Sequence, residues 1–160
     1  MDRVNQILRH PLFREKLAEI DRLEENRIFC RHGLEHLLSV ARLAYLRSLE
    51  EGLGLDREQI YAAALLHDIG RGEQYLRGTP HDKAGAVCAE QILTDCGFSA
   101  PEREAVTEAI SGHRSPEVAA EPTLQGVLYR ADKESRLCFC CPAAEQCNWP
   151  EERRSKGIRR

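Results

Sequence analysis

The chain has 160 residues, of which 42% are hydrophobic and 31% charged, and its net charge at pH 7 is −3. This length and composition are typical of one globular domain, and the negative charge gives no electrostatic basis for a nucleic-acid partner. No apolar run approaches the ~20 residues of a membrane span, no signal-peptide core is seen, and the seven cysteines form no secreted framework, so we expect a cytoplasmic protein without a membrane partner.

Apolar residues recur at helical spacing along most of the chain, and no segment alternates with the two-residue period of a strand. Pro11 is a favourable first residue of a helix, Asp56 and Asp82 are candidate N-caps, and Ser99 with Glu102 forms a predicted capping box. Residues 71–80 and 112–122 contain glycine and proline and are predicted to be loops. The predicted helices are 11–23, 31–50, 57 to near 70, 83–96, 100–110 and 123–138.

These elements predict an all-α fold, a single-domain bundle of about six to seven helices. We expect the helical domain to cover residues 1–137 and a cysteine-rich, basic tail to cover 138–160, packed on the domain or trailing from it. The basic residues at 153–160 favour a solvated end of the chain.

Two short stretches carry most of the chemical information, Leu66-His67-Asp68-Ile69-Gly70 and Arg130-Ala131-Asp132-Lys133. The first ends a helical run rich in alanine and leucine, and the second lies inside a helix that must bury one face. His36 shares a helix face with apolar residues and is therefore predicted to point inward. Buried imidazoles and carboxylates need partners, and this combination of ligands suits a divalent transition metal that supports hydrolysis.

The order His36, His67-Asp68 and Asp132 resembles that of the HD-domain metal-dependent phosphohydrolases. The flanking residues agree with the family in all three elements, and the resemblance covers residues 28–137. It implies an HD-type helical bundle. The matching segments are Glu35-His36-Leu37-Leu38-Ser39-Val40-Ala41, Ala64-Leu65-Leu66-His67-Asp68-Ile69-Gly70 and Tyr129-Arg130-Ala131-Asp132-Lys133.

Two further histidines, His81 and His113, resemble the additional ligands of the two-metal bacterial diadenosine-tetraphosphate hydrolases of this family. The resemblance implies one ion on His36, His67, Asp68 and Asp132, and a second ion on Asp68, His81 and His113. Alternatively, His81 and His113 are loop histidines or phosphate contacts, and one ion is bound. The ligands are compatible with iron, manganese, cobalt, nickel or zinc. His32, four residues before His36, is expected on the same helix face, beside the site.

In a two-metal site, Asp68 would bridge the ions and thereby take part in catalysis. The oxygen that departs from phosphorus must be stabilised or protonated, and the cations next to the predicted ligands are candidates for this role. Each of them is alternatively a solvated surface charge. The candidates are Arg71, Lys83, Arg114 and Lys133.

Four cysteines, Cys138, Cys140, Cys141 and Cys147, fall within ten residues after the last predicted helix. Cys138, Cys141 and Cys147 could hold a second, soft-metal site with zinc or an iron–sulfur cluster. Alternatively, the cysteines pack as small apolar groups and the tail folds back on the domain with Trp149.

Taken together, the sequence predicts a metal-dependent phosphohydrolase acting on a nucleotide or a related small phosphate compound. A dinucleoside polyphosphate is the most specific prediction for the substrate. The alternatives are a one-metal nucleoside monophosphatase and a regulatory module without turnover that responds to metal or redox state. Homo-oligomer formation is left open.

Overall fold

The computed structural model describes residues 1–158, and within them the regular structure is helical, without strands. The all-α prediction is confirmed. Arg159 and Arg160, at the end of the predicted basic tail, lie outside the described residues. None of the described helices is both long and apolar enough to span a membrane. The α-helices are α1 (Asp2–Arg9), α2 (Pro11–Leu23), α3 (Leu34–Glu50), α4 (Arg57–Leu66), α5 (Arg71–Arg77), α6 (His81–Asp95), α7 (Ala100–Gly112) and α8 (Leu124–Glu134).

Helix α4 is the centre of the bundle and leads directly into the predicted site. It packs against α1, α3, α6, α7 and α8. Its residues from Ala62 to Leu66 are all fully buried. A helix that is apolar all round is a core helix, and its alanines allow neighbouring helices to approach closely. The Asp56 carboxylate caps its N-terminus as predicted, accepting a hydrogen bond of 2.9 Å from the Gln59 amide.

Two helices were not predicted. Helix α1 precedes Pro11 and buries Val4 and Ile7 in the core. Helix α5 occupies most of the predicted loop 71–80. It ends at Arg77, because Gly78 adopts the left-handed conformation and Pro80 follows.

Four predicted boundaries were wrong. Helix α4 ends at Leu66, before its predicted end near Gly70. Helix α3 begins at Leu34 and not near 31, so His32 lies in the preceding segment. Helix α6 begins at His81, and Asp82 forms an ion pair of 3.2 Å with Arg114 instead of capping the helix. Helix α8 ends at Glu134, four residues before its predicted end, and the predicted loop at 112–122 contains a short 3-10 helix at Pro116–Ala120.

Gly70 lets the start of α6 approach the end of α4. A Cβ atom at Gly70 would lie 2.3 Å from the carbonyl oxygen of His81 and 2.5 Å from the amide nitrogen of Gly85. Both neighbouring atoms are backbone and have little room to move. The absence of a side chain at Gly70 therefore allows His81 to lie beside Asp68.

The residues after α8 form three short 3-10 helices, at Cys138–Cys140, Ala144–Gln146 and Glu151–Arg153. The guanidinium group of Arg154 binds this segment together by donating hydrogen bonds to the carbonyl oxygens of Trp149, Ala144 and Cys147 at 2.9, 3.1 and 2.7 Å. The segment thus has a defined backbone course and contributes side chains to the pocket described below.

Candidate metal centre

Asp68 lies at the centre of the site, in the turn between α4 and α5, and is 1% exposed. Its two carboxylate oxygens face different histidines. Oδ2 lies 3.1 Å from Nε2 of His67 and 3.5 Å from Nε2 of His36. Oδ1 lies 3.2 Å from Nε2 of His81 and 3.9 Å from Nε2 of His113.

The six predicted ligands form two groups that share Asp68, and within each group the ligand atoms all lie within 4.8 Å of one another. The first group consists of His36, His67, Asp68 and Asp132, and the second consists of Asp68, His81 and His113. In the first group, Oδ1 of Asp132 is 3.4 Å from Nε2 of His36 and 3.8 Å from Nε2 of His67. The structure thus brings together residues that span almost one hundred positions of the chain.

In three histidines, Nδ1, the ring nitrogen that faces away from Asp68, lies within hydrogen-bonding distance of an acceptor. Nδ1 of His67 lies 2.7 Å from the carbonyl oxygen of Ala64, and Nδ1 of His113 lies 2.6 Å from that of Ile110. Nδ1 of His81 lies 2.5 Å from Oε1 of Gln74. In the neutral rings, these contacts place the proton on Nδ1 and leave the Nε2 lone pair facing Asp68, which is the form of imidazole that binds a metal.

Two atoms at the centre have no hydrogen-bond partner. Among the described residues, Nε2 of His67 and Oδ2 of Asp68 are both buried and unpaired. An unpaired buried polar atom carries a desolvation cost of about 1–3 kcal/mol. A divalent cation between these atoms would satisfy both, so the first group fits a metal ion by an observation independent of any family pattern.

Nearby carboxylates and burial shift the pKa values of His67, His81 and His113. Burial opposes protonation of His67, but the negative charges of Asp68 and Asp132 outweigh it and raise its pKa to about 9. Burial lowers the pKa of His81 to about 2 and that of His113 to about 4. His81 and His113 are therefore neutral near pH 7, whereas a cation in the first group would compete with a proton on His67.

Three of the four predicted cations line the pocket around the two groups. Arg71 Nε binds Oδ1 of Asp68 at 2.9 Å, Lys133 Nζ binds Oδ2 of Asp132 at 2.5 Å, and Arg114 is partly exposed beside Asp82. The structure does not bring Lys83 to this pocket, because its exposed side chain lines a separate groove between α6 and α7.

Arg136 also belongs to the site and was not identified from the sequence. Its guanidinium group lies 2.9 Å from Nε2 of His36 and 3.4 Å from Oδ1 of Asp132, and it donates a hydrogen bond of 3.0 Å to the carbonyl oxygen of Arg31. Arg136 follows Asp132 by four residues, about one helical turn. This spacing is the sequence feature that could have predicted their contact.

His32 approaches Asp68 from outside the two groups, with Nε2 of His32 4.0 Å from Oδ2 of Asp68. The buried carboxylate of Glu24 binds Nδ1 of His32 at 2.5 Å and accepts a hydrogen bond of 2.5 Å from the hydroxyl of Tyr75. The position of His32 beside the site agrees with the prediction. The contacts of Glu24 with His32 and Tyr75 join separate segments of the chain, and no local sequence pattern indicates them.

A cavity of about 470 Å³ gives access to the two groups and is called the metal pocket below. Its wall contains His32, His81, His113 and Asp132, together with many cations and several aromatic rings. The cations are Arg27, Arg71, Arg114, Lys133, Arg136, Arg153 and Arg154, and the aromatic side chains are Phe29, Tyr129 and Trp149.

A family model, the HD domain, matches residues 33–137, from the start of α3 to just beyond α8. The chain belongs to the HD domain family. The matched region contains all six residues of the two groups. The family assignment made from the sequence is thus confirmed, with nearly the predicted bounds.

Three proteins illustrate what this HD domain is similar to. An uncharacterized protein of Clostridium beijerinckii is 40% identical over 158 residues, covering 99% of each chain. Ribonuclease Y of Thermoanaerobacter pseudethanolicus is 32% identical over 76% of this chain, which spans only 22% of that relative. Ribonuclease Y of Clostridium perfringens is 32% identical over the same shares.

The fold is also similar to a crystal structure of a predicted HD superfamily hydrolase from an uncultured Thermotogales bacterium. That match has a TM-score of 0.63 at 27% sequence identity and covers 88% of this chain and 80% of the other. The family match and this neighbour show that the chain is a hydrolase, in general terms a metal-dependent phosphohydrolase.

Proposed function

We propose that this HD domain is a two-metal phosphohydrolase that cleaves a nucleoside polyphosphate, most specifically a dinucleoside polyphosphate. The observation that carries the proposal is the position of Asp68, whose two oxygens face the two separate groups. The first group, His36, His67, Asp68 and Asp132, would hold one ion, and the second group, Asp68, His81 and His113, would hold the other. Divalent ions bound there would activate water for attack on phosphorus and offset charge on the phosphoryl oxygens.

The electrostatics of the metal pocket support a substrate with several phosphates. Seven cationic side chains of the described residues 1–158 line it, whereas the chain as a whole has a net charge of −3. Arginine binds phosphate through two parallel hydrogen bonds, and Arg114 and Arg153 have the freedom to do so because they are partly or fully exposed. Arg114 and Arg153 would thus bind phosphate groups beyond the one that reacts.

The aromatic side chains support a nucleoside next to these phosphates. Phe29 and Trp149 line the same pocket, and Tyr129 stacks below the ammonium group of Lys133 at 4.8 Å from the ring centre. Aromatic rings bind nucleobases by stacking on their faces. The pocket therefore combines sites for a base and for phosphates.

His32 is proposed to contact the reacting phosphate or its departing oxygen. It lies outside the two groups, lines the metal pocket, and is oriented by the buried Glu24. Arg71 and Lys133 are proposed to hold Asp68 and Asp132 in place, since each already binds one of these carboxylates.

A substrate panel tests the proposal. Purified protein loaded separately with manganese, iron, cobalt, nickel or zinc is assayed on a dinucleoside tetraphosphate, a nucleoside monophosphate and a short single-stranded RNA. We expect the dinucleoside tetraphosphate to be hydrolysed with the highest kcat/KM. Asp68→Asn should abolish turnover because it removes the charge shared by both groups, whereas His10→Ala, remote from the site, should retain it.

The other outcomes of the panel identify the alternatives. Preference for the monophosphate, with activity retained in His113→Ala, would replace the proposal with a one-metal nucleoside monophosphatase. Preference for RNA would instead relate this chain to the activity in the name of the ribonuclease Y relatives.

A further inference from the structure

Four cysteines from two distant parts of the chain line the metal pocket. Cys30 lies between α2 and α3, and the other three, Cys138, Cys141 and Cys147, follow α8. More than one hundred residues separate Cys30 from the others, so only the folded chain brings them to one cavity. All four are partly buried and none is in a disulfide.

The thiols are close enough to influence one another. Burial raises the pKa of the Cys30 thiol, Arg136 lowers it, and the thiols of Cys138, Cys141 and Cys147 each raise it. Cys140 behaves differently, although it is adjacent in sequence to Cys141. It is exposed, it does not line the metal pocket, and its thiol contacts the carbonyl oxygen of Leu137 at 3.5 Å.

Hydrogen bonds from arginines fix the backbone around these cysteines. Arg27 Nε donates to the carbonyl oxygen of Cys30 at 2.9 Å, and Arg154 donates to that of Cys147 at 2.7 Å. Arg136, which also contacts the first group, binds the carbonyl oxygen of Arg31. Arginine side chains thus fix the backbone of both cysteine-bearing segments.

We propose that Cys30, Cys138, Cys141 and Cys147 bind an iron–sulfur cluster of the [4Fe–4S] type at the mouth of the metal pocket. Four cysteine thiolates are the usual ligands of this cluster, and a C-x-x-C pair such as Cys138 and Cys141 is a common part of its binding motifs. Cys30 completes the set, and no sequence motif connects it with the other three.

The spacing of the sulfurs favours a cluster over a single zinc ion. Within residues 1–158, the two His/Asp groups are the sets of three or more ligand atoms that lie within 4.8 Å of one another. No three cysteine sulfurs therefore lie that close together. Thiolates around one tetrahedral zinc, with Zn–S bonds of about 2.3 Å, must lie closer together than that. A cubane holds its four thiolates farther apart because each binds a different iron.

The charges around the cysteines also suit a cluster. A [4Fe–4S] centre with four thiolates is anionic, and Arg27, Arg136, Arg153 and Arg154 line the same cavity. The cluster would fix the tail, including Trp149, against the pocket and thereby determine access to the two His/Asp groups.

Anaerobic purification from iron-supplemented cells tests the proposal, with iron, zinc and acid-labile sulfide measured per chain. We expect about four sulfides per chain and a brown protein with broad visible absorption. Cys30→Ser and Cys141→Ser should each lose most of the sulfide and the colour, whereas Cys140→Ser should retain both. Far-ultraviolet circular dichroism would confirm that each variant is folded.

The acid-labile sulfide content distinguishes the cluster from metal ions bound by the His/Asp groups. Iron without sulfide, unchanged in Cys30→Ser and lost in Asp68→Ala, would overturn the cluster and leave the proposed function intact. About one zinc per chain lost in Cys30→Ser would replace the cluster with a zinc site, and sulfide unchanged in Cys30→Ser would remove that residue from the ligand set. Disulfides among the four cysteines, found by alkylation of anaerobic protein, would also contradict it.

Discussion

Nε2 of His81 and Nε2 of His113 lie 3.1 Å apart, with no proton available to join them. Nδ1–H of His113 donates a hydrogen bond to the carbonyl oxygen of Ile110. Oε1 of Gln74 accepts a hydrogen bond from the backbone amide of His81, which identifies it as an oxygen, and it therefore also accepts one from Nδ1–H of that ring. Two lone pairs at this distance repel each other. A cation between them would attract both and make the arrangement favourable.

The first prediction follows from this pair. His113→Ala should lower the metal content, after subtraction of one iron per acid-labile sulfide, from about two ions per chain to about one, since the second group keeps only Asp68 and His81. Elemental analysis of freshly purified protein measures this, with His10→Ala as the matched histidine control. If His113→Ala keeps two ions, the second group is not a metal site.

The second prediction concerns Gln74, which orients the His81 ring without facing the centre. Gln74→Leu should weaken binding of the second ion by about 10–100-fold, the usual effect of losing such a support. Competition with a chelator gives the affinity, and Gln91→Ala, on the exposed face of α6, is the control. Equal affinity in both variants would show that the Gln74 contact does not position His81.

The third prediction concerns the pH dependence of stability through Glu24. Burial raises the pKa of this carboxyl, but the contacts with His32 and Tyr75 outweigh burial and lower it from 4.5 to about 2. A depressed pKa means that ionised Glu24 stabilises the folded state above pH 4.5, and that this contribution is lost as the pH falls toward about 2. Glu24→Gln should therefore lower the free energy of unfolding by about 1–3 kcal/mol at pH 7 and by less at pH 3.

Urea unfolding of the metal-free wild type and the Glu24→Gln variant at both pH values measures these differences. Glu25→Gln, at the exposed neighbouring position, is the control and should show little difference at either pH. If the difference in free energy of unfolding between wild type and Glu24→Gln is the same at pH 7 and pH 3, the lowered pKa of Glu24 is refuted.

The fourth prediction tests the close approach of α4 and α6. Gly70→Ala should lower the free energy of unfolding by about 1–3 kcal/mol, because its Cβ would collide with backbone atoms of His81 and Gly85. It should also weaken the second group, since α6 carries His81. Thermal unfolding measures the effect, and Gly157→Ala, where a Cβ meets no atom within 4 Å, should leave the midpoint unchanged. A Gly70→Ala variant as stable as wild type would mean that the two helices separate at little cost.

Much of the architecture could be predicted from local patterns. Helical periodicity located α2, α3, α4, α6, α7 and α8, and the predicted caps Asp56 and Ser99 lie at the starts of two of them. Caps are predictable because a cap contacts an amide only two or three residues away. Helix α5 was not predicted because Gly72, Gly78 and Pro80 together favour a loop, whereas Gly72 lies inside the helix and Gly78 only ends it.

Residue type, order and spacing were enough to predict the all-helical fold, the family and the six residues that form the two groups. The folded chain was needed to show that Asp68 faces both groups, that Glu24 supports His32, that Arg136 joins the first group and that Lys83 lies elsewhere. It alone brought Cys30 to the cysteines of the tail. Local patterns describe interactions over about one helical turn, whereas these contacts join segments many residues apart, and which segments meet is fixed by packing of the whole core.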